Sequence, residues 1–137
     1  MIKILIVDDT LGWRDFDKNL LESILTDYEY EITLAESAKD GYDKLLYAEK
    51  SPYDLIISDL QMESDFAPLT AGEWFIRQVQ NFKSYFNTKI IIISGMYNIE
   101  MVADSLNVDF ISKRMLISGG ELPLKFKLEN GIIKNKE

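Results

Sequence analysis

Leu55-Ile56-Ile57-Ser58-Asp59 is the segment that most clearly indicates the architecture, because three apolar residues lead directly into a hydroxyl and a carboxylate. A strand that is apolar at every position is buried on both faces, as in the middle of a parallel sheet that helices cover on both sides. Residues 90–93 are four isoleucines, and residues 2–7 are apolar apart from Lys3. These three runs predict the central strands of one sheet.

Two further runs, residues 31–35 and 108–112, alternate polar with apolar side chains, which is typical of edge strands. Between the runs, apolar side chains recur at steps of three and four residues, which predicts helices. The first such face extends from Trp13 to Tyr28, and later ones lie within residues 74–86 and 99–106.

Another helix is predicted to begin after Ser37, because Ser37 followed by Asp40 resembles a capping box. Strands that alternate with helices of crossover length are parallel, and right-handed crossovers favour the strand order 2-1-3-4-5. The sequence therefore predicts one α/β domain over residues 1–137, a doubly wound five-stranded parallel sheet with helices on both faces.

Two segments fit this pattern less simply. Residues 63–71 form a polar connection, with Pro68, that is longer than a typical loop between a strand and a helix. In the tail, apolar residues at positions 122, 124, 126 and 128 alternate as in a strand. The architecture instead favours a fifth covering helix at about residues 120–130, with Pro123 in its first turn.

Composition excludes several kinds of chemistry. The 137 residues contain no cysteine and no histidine, which removes disulfides, thiol nucleophiles, imidazole bases and metal sites built on these side chains. The net charge of -8 argues against a general nucleic-acid or anionic-membrane binder. We see neither a signal peptide nor an apolar run of membrane-spanning length, so we expect a cytoplasmic protein.

Reactive side chains follow four of the five predicted strands. Asp8 and Asp9 end the first, Asp59 the third, Ser94 the fourth and Lys113 the fifth. Each alone has an ordinary interpretation, as a helix cap, a turn residue or a solvated lysine. In a parallel sheet, however, these ends lie on the same side, where ligands bind in open α/β folds.

Three carboxylates at close range repel one another by ~4 kcal/mol per pair at an effective dielectric constant of 20. A hard divalent cation such as Mg²⁺ relieves this repulsion and binds oxygen ligands. One aspartate can then act as a nucleophile toward a phosphoryl group, with Ser94 and Lys113 suited to hold its oxygens. The chain has no glycine-rich nucleotide-binding motif, so we expect the phosphoryl group to come from another molecule.

Four segments carry a resemblance to a known family: ILIVDD (4–9), YDLIISDLQM (53–62), IIIISG (90–95) and DFISK (109–113). Together they resemble the receiver domain of two-component response regulators, from Met1 to about Leu128. The resemblance implies a flavodoxin-like fold. It also implies that Asp59 is the phosphoacceptor, and that Mg²⁺ is bound by Asp8, Asp9, Asp59 and the backbone carbonyl of Gln61.

The resemblance further implies that Ser94 and Lys113 contact the phosphoryl group. Phe110 occupies the position of the family's switch aromatic, whose ring turns inward as Ser94 moves toward the phosphate. A half-buried aromatic residue on an edge strand is the other interpretation of Phe110.

The sequence departs from the family pattern in two places. Glu63 stands where the family has a proline, and Gly72, which matches its helix-opening glycine, comes several residues late. Residues 63–71 are therefore an insertion, which either gates the site or is solvated decoration. Arg114 replaces the proline that usually follows the lysine of the fifth strand. A cis bond without proline is costly, so we expect either a strained cis peptide or an altered loop after Lys113.

These features favour a stand-alone receiver, unless the chain is a fragment. It would be phosphorylated by a histidine kinase or a histidine phosphotransfer protein, and would act without direct nucleic-acid or membrane contact. The family's usual output surface, formed by the fourth helix, the fifth strand and the fifth helix, would bind a downstream protein or a second copy.

The alternative is an interaction module that keeps the fold without using phosphorylation. A true phosphohydrolase is disfavoured, because Gln61 and Met96 beside the site offer no base to activate water. We therefore expect no enzymatic activity beyond Mg²⁺-dependent self-phosphorylation and self-dephosphorylation.

Overall fold

The sheet has the predicted order. In the computed structural model, which describes residues 1–62, 70–129 and 131–133, five parallel strands are arranged as β2-β1-β3-β4-β5. The strands are β1 (Ile2–Val7), β2 (Tyr30–Ala35), β3 (Leu55–Ser58), β4 (Lys89–Ser94) and β5 (Asp109–Ser112). Strand β3, which is apolar up to its final Ser58, is buried at every position, whereas the alternating strands β2 and β5 form the edges. The assignment of central and edge strands from polarity is confirmed.

Helices cover both faces of the sheet. They are α1 (Leu11–Ile24), α2 (Ala38–Tyr47), α3 (Ala71–Asn81), α4 (Ile99–Leu106), α5 (Lys113–Gly119) and α6 (Leu122–Leu128). One core cluster joins the sheet to α2, α3 and α4, and the other joins it to α1, α5 and α6. The helix predicted over residues 74–86 ends at Asn81, and a 3-10 turn at Lys83–Tyr85 follows it.

The start of α2 follows the predicted capping pattern. The Ser37 hydroxyl accepts a hydrogen bond of 2.9 Å from the backbone N–H of Asp40. The Asp40 carboxylate in turn accepts from the backbone N–H of Glu36, one residue earlier than in a full capping box. The bond to Ser37 satisfies a backbone donor that the first turn of the helix cannot pair internally, and the bond to Asp40 satisfies the N–H of the residue before the cap.

The segment after β5 differs from the expected loop and single helix. Helix α5 begins at Lys113 itself, and every peptide bond of the described residues is trans. Of the two expected alternatives, the altered loop is therefore found and the cis peptide is not. Helix α6 lies where the fifth helix was expected, with Pro123 in its first turn. Leu124 and Leu128 are fully buried while Leu122 and Phe126 are exposed. The alternation arises because two apolar side chains of α6 remain on the surface.

The long connection before α3 lies mostly outside the described residues, which omit positions 63–69. The prediction that residues 63–71 gate the site or decorate the surface therefore concerns a segment of which only Thr70 and Ala71 are described. In the part of the chain that the structure describes, every helix is too short or too polar to cross a membrane.

Candidate functional site

The ends of β1 and β3 bring the predicted carboxylates together. Val7 pairs with Ser58 across the two strands, so the next residues, Asp8 and Asp59, leave the sheet side by side. The backbone N–H of Asp59 donates to the carbonyl of Val7 at 3.0 Å, which extends the pairing beyond the strands. Asp9 completes the group, and one carboxylate oxygen from each of the three residues lies within 4.8 Å of the others.

Asp8 is the most buried of these carboxylates, with 2% of its surface exposed. Burial raises the pKa of Asp8 to about 6, and the nearby charge of Asp59 adds to this shift. The backbone N–H of Thr10 donates to Asp8 Oδ1 at 2.9 Å, which opposes the shift by stabilising the ionised form. Arg14 donates to the Asp8 carbonyl at 2.7 Å and holds the start of α1 against this loop.

Asp59 is held from both sides of its carboxylate. The backbone N–H of Leu60 donates to Oδ1 at 2.7 Å, and Lys113 Nζ donates to Oδ2 at 2.8 Å. Helix α3 begins directly against this turn, since a Cβ at Gly72 would overlap the Asp59 carbonyl oxygen and the Leu60 backbone. Gly72 therefore acts here as a close-packing glycine, despite its late position in the sequence.

Lys113 is the ammonium of the site. Its Nζ lies 3.6 Å from Asp8 Oδ2 in addition to the bond with Asp59, and 4.6 Å from the centre of the Trp13 ring. Burial alone lowers the pKa of a lysine, but the hydrogen bond with Asp59 and the charges of Asp59, Asp8 and Asp17 raise the pKa of Lys113 above its ordinary value. Lys113 is therefore charged, and a cation–π contact with Trp13 orients it.

The remaining predicted residues lie around this cluster. Ser94 ends β4 and is 1% exposed, and its hydroxyl accepts a 3.2 Å hydrogen bond from the backbone N–H of Met96. Gln61 is exposed, two residues beyond Asp59. Phe110 is half-buried on β5, with Lys127 Nζ 6.0 Å from its ring centre. The structure thus brings Asp8, Asp9, Asp59 and Lys113 together, whereas Ser94, Gln61 and Phe110 make no contact with them that is recorded among the described residues.

Asp17 was missed by the sequence reasoning. It lies on α1, 1% exposed, and its Oδ1 has no hydrogen-bond partner among the described residues. Burial raises the pKa of Asp17 to about 8, with the charge of Asp8 as the second cause. The available signal was its spacing, four residues after Trp13 and four before Leu21, which places a carboxylate on the buried face of an amphipathic helix.

The carboxylate trio fits a divalent cation. Opposite oxygen ligands of Mg²⁺ lie about 4.2 Å apart, twice the usual ligand distance, so oxygens within 4.8 Å of one another need only small side-chain rotations. All three donors are carboxylate oxygens, the ligands that hard cations prefer. Among the described residues, the Lys113 ammonium contacts Asp8 and Asp59, and Asp9 adds a third carboxylate, so a bound cation would balance negative charge here.

Comparison with known proteins agrees with this geometry. The family described as response regulator receiver domain matches residues 4–118. No curated protein sequence matches significantly. Many solved structures do match, and three of them are given below. Because their sequence identities to this chain are low, these structural likenesses establish the fold alone.

The signal receiver domain of a DNA-binding response regulator from Colwellia psychrerythraea 34H has a TM-score of 0.72 and 19% identity, covering 94% of this chain and 99% of its own. The phosphorylated cyanobacterial phytochrome response regulator RcpA has a TM-score of 0.73 and 19% identity, covering 98% and 96%. The Mn²⁺-bound form of response regulator Rcp1 has a TM-score of 0.69 and 15% identity, covering 100% and 98%.

Proposed function

The chain belongs to the response regulator receiver domain family, and on that premise we propose that Asp59 accepts a phosphoryl group from the phosphorylated histidine of a kinase or phosphotransfer protein. These 137 residues contain no histidine, so the donor histidine lies outside them. Family membership also supports a cytoplasmic location and signalling through protein contacts.

The observation that carries the proposal is the environment of Asp59. Its carboxylate sits between the backbone N–H of Leu60 and the ammonium of Lys113, with Asp8 and Asp9 beside it. In the transfer, an Asp59 oxygen attacks phosphorus, the bond from phosphorus to the donor nitrogen breaks, and the electron pair remains on the imidazole. Lys113 then balances charge on the phosphoryl oxygens.

Asp8, Asp9 and Asp59, together with the Gln61 carbonyl, are the residues that would hold Mg²⁺. Bound there, the cation would supply electrostatic stabilisation of the phosphoryl oxygens. The Mn²⁺-bound Rcp1 structure supports a divalent cation in this fold, and the trio in this chain supplies suitable donors.

Ser94 and Phe110 are the proposed switch. The Ser94 hydroxyl accepts from the backbone N–H of Met96, and within the described residues its own proton is available to turn toward a phosphoryl oxygen on Asp59. Phe110 packs at the margin of the core cluster that contains α4, where inward rotation of its ring would change the exposed face. The proposed output surface is that face, formed by α4, β5 and the helices after β5, with Met101 and Phe126 exposed on it.

Phosphorylation is tested by incubating the protein with acetyl phosphate and Mg²⁺ and measuring its intact mass. Wild type is expected to gain one phosphate and Asp59→Ala none. Asp43→Ala removes an exposed carboxylate on α2 and is the matched control, expected to label like wild type. Equal labelling of Asp59→Ala would refute the assignment of the acceptor. Failure of wild type to label would favour the phosphorylation-independent interaction module.

A further inference from the structure

Asp17 is a buried carboxyl that the proposed phosphotransfer does not use. It lies in the middle of α1, 1% exposed, and Oδ1 has no hydrogen-bond partner among the described residues. An unsatisfied buried oxygen is destabilising, and an apolar side chain would pack here as Leu21 does one turn later. Because an unpaired buried oxygen lowers stability, its presence indicates that Asp17 has a role besides packing.

Asp17 lies on the side of α1 whose Trp13 ring contacts Lys113. Trp13 and Asp17 are four residues apart and share one face of α1, and the Trp13 ring already contacts Lys113 Nζ at 4.6 Å. When Asp17 is ionised, its charge also raises the pKa of Lys113, so the two groups lie within electrostatic reach of each other.

Lys113 occupies the oxygens that a cation needs. Its ammonium is 2.8 Å from Asp59 Oδ2 and 3.6 Å from Asp8 Oδ2, and both carboxylates belong to the trio that would bind a divalent cation. A cation bound there would compete for these oxygens and repel the ammonium. The flexible lysine stem lets the ammonium move, and its side chain is only 15% exposed, so a nearby buried acceptor is favoured.

We propose that Asp17 is a positioning residue that serves as the second acceptor for Lys113. When a divalent cation takes Asp8 and Asp59, the ammonium turns to Asp17 Oδ1 and remains beside the Trp13 ring. The inference rests on the proposed function only for cation binding and requires no phosphorylation. Asp17 thereby lowers the cost of displacing Lys113 and raises cation affinity without touching the cation.

A double-mutant cycle distinguishes this role from direct attraction of the cation by Asp17. Calorimetric titration with Mg²⁺ is made on wild type, Asp17→Leu, Lys113→Met and the double variant, with folding checked by circular dichroism. Asp17→Leu is expected to weaken Mg²⁺ binding about tenfold in the wild-type background, within the usual range of coupling between contacting residues. With Lys113 replaced by methionine, the same substitution should change affinity by less than about twofold.

Asp17→Asn keeps an oxygen acceptor and is the variant to use if Asp17→Leu fails to fold; it should lose less affinity than Asp17→Leu. Asp15→Asn removes an exposed carboxylate from the same helix and controls for net charge. An equal loss in both Lys113 backgrounds, or no loss in either, overturns the inference while leaving the cation site intact. Absence of Mg²⁺ binding by wild type would refute both the inference and the proposed cation site.

Discussion

Two groups of aspartates and lysines in this molecule differ in charge balance. On the β5 edge, Asp109 is paired with Lys89 at 2.7 Å and with Lys127 at 3.4 Å. Burial acts against ionisation of Asp109, but the two lysines outweigh it and lower its pKa. Two cations share one carboxylate that is 37% exposed, so this edge group is electrostatically satisfied.

At the strand ends the ratio is reversed. Asp8 and Asp59 share Lys113, Asp9 lies beside these two carboxylates, and Asp17 is within electrostatic reach of Lys113. The pKa of Asp8 rises to about 6 and that of Asp17 to about 8, mainly because both are buried. Both groups contain ion pairs, so an ion pair alone does not distinguish the candidate site from a structural contact. What distinguishes the candidate site is that its buried carboxylates outnumber the lysines beside them.

The largest expected effect concerns Asp17 and pH. Its pKa rises from 3.8 to about 8 on folding, so between pH 4 and 8 the unfolded chain has lost a proton that the folded chain retains. The stability of wild type should therefore fall relative to Asp17→Asn across this range, by on the order of 4 kcal/mol at pH 9. Urea denaturation of both proteins from pH 5 to 9 measures this; parallel curves would contradict it.

The second prediction compares the two lysine groups. Lys113→Met leaves buried Asp8 and Asp59 without their ammonium and should lower the free energy of unfolding by about 3 kcal/mol in chelator. Lys89→Met leaves Asp109 with Lys127 and solvent, so its loss should be under about 1 kcal/mol. Chemical denaturation at pH 7.5 gives both values. Equal losses would mean that removing the ammonium from the strand-end cluster lowers the free energy of unfolding no more than removing one from the β5 edge.

The third prediction uses stabilisation by Mg²⁺ to distinguish the strand-end carboxylates from Asp109 on the β5 edge. At a free concentration of about 100 times its dissociation constant, Mg²⁺ should stabilise wild type by about 2.7 kcal/mol. Asp9→Ala should lose most of this gain, whereas Asp109→Ala should keep it. Thermal unfolding with Mg²⁺ or with chelator reports the difference, and an equal gain in Asp9→Ala would exclude Asp9 as a ligand.

The smallest effect is expected at Asp109, with the opposite pH dependence to Asp17. Because its pKa is lowered on folding, Asp109 contributes stability above its unfolded pKa that is lost as pH falls through the folded pKa. Asp109→Asn should be less stable than wild type at pH 7 by under about 1 kcal/mol. The gap should close in acid. A gap that widens toward pH 3 would contradict the pairing.

Much of the fold could be predicted because the polarity of each strand indicates whether one or both of its faces are buried. Strand β3 is apolar at each central position and lies in the middle of the sheet, whereas β5 alternates and forms an edge. Once the strand order was inferred, the convergence of Asp8, Asp59 and Lys113 followed from parallel strand ends. The segment after β5 was harder to predict, because α6 leaves the apolar residues Leu122 and Phe126 exposed. Its sequence therefore has the alternating pattern that is typical of a strand.

The strand order and the inventory of oxygen donors could be inferred from the amino-acid sequence, since they depend on local polarity and residue type. The bond from Lys113 to Asp59, its contact with Trp13 and the burial of Asp17 emerged only from the folded arrangement. Helical spacing assigns Asp17 to a face of α1 but cannot state which charges from other elements meet that face. Burial and distance create the electrostatics of this site, and both exist only once the chain has folded.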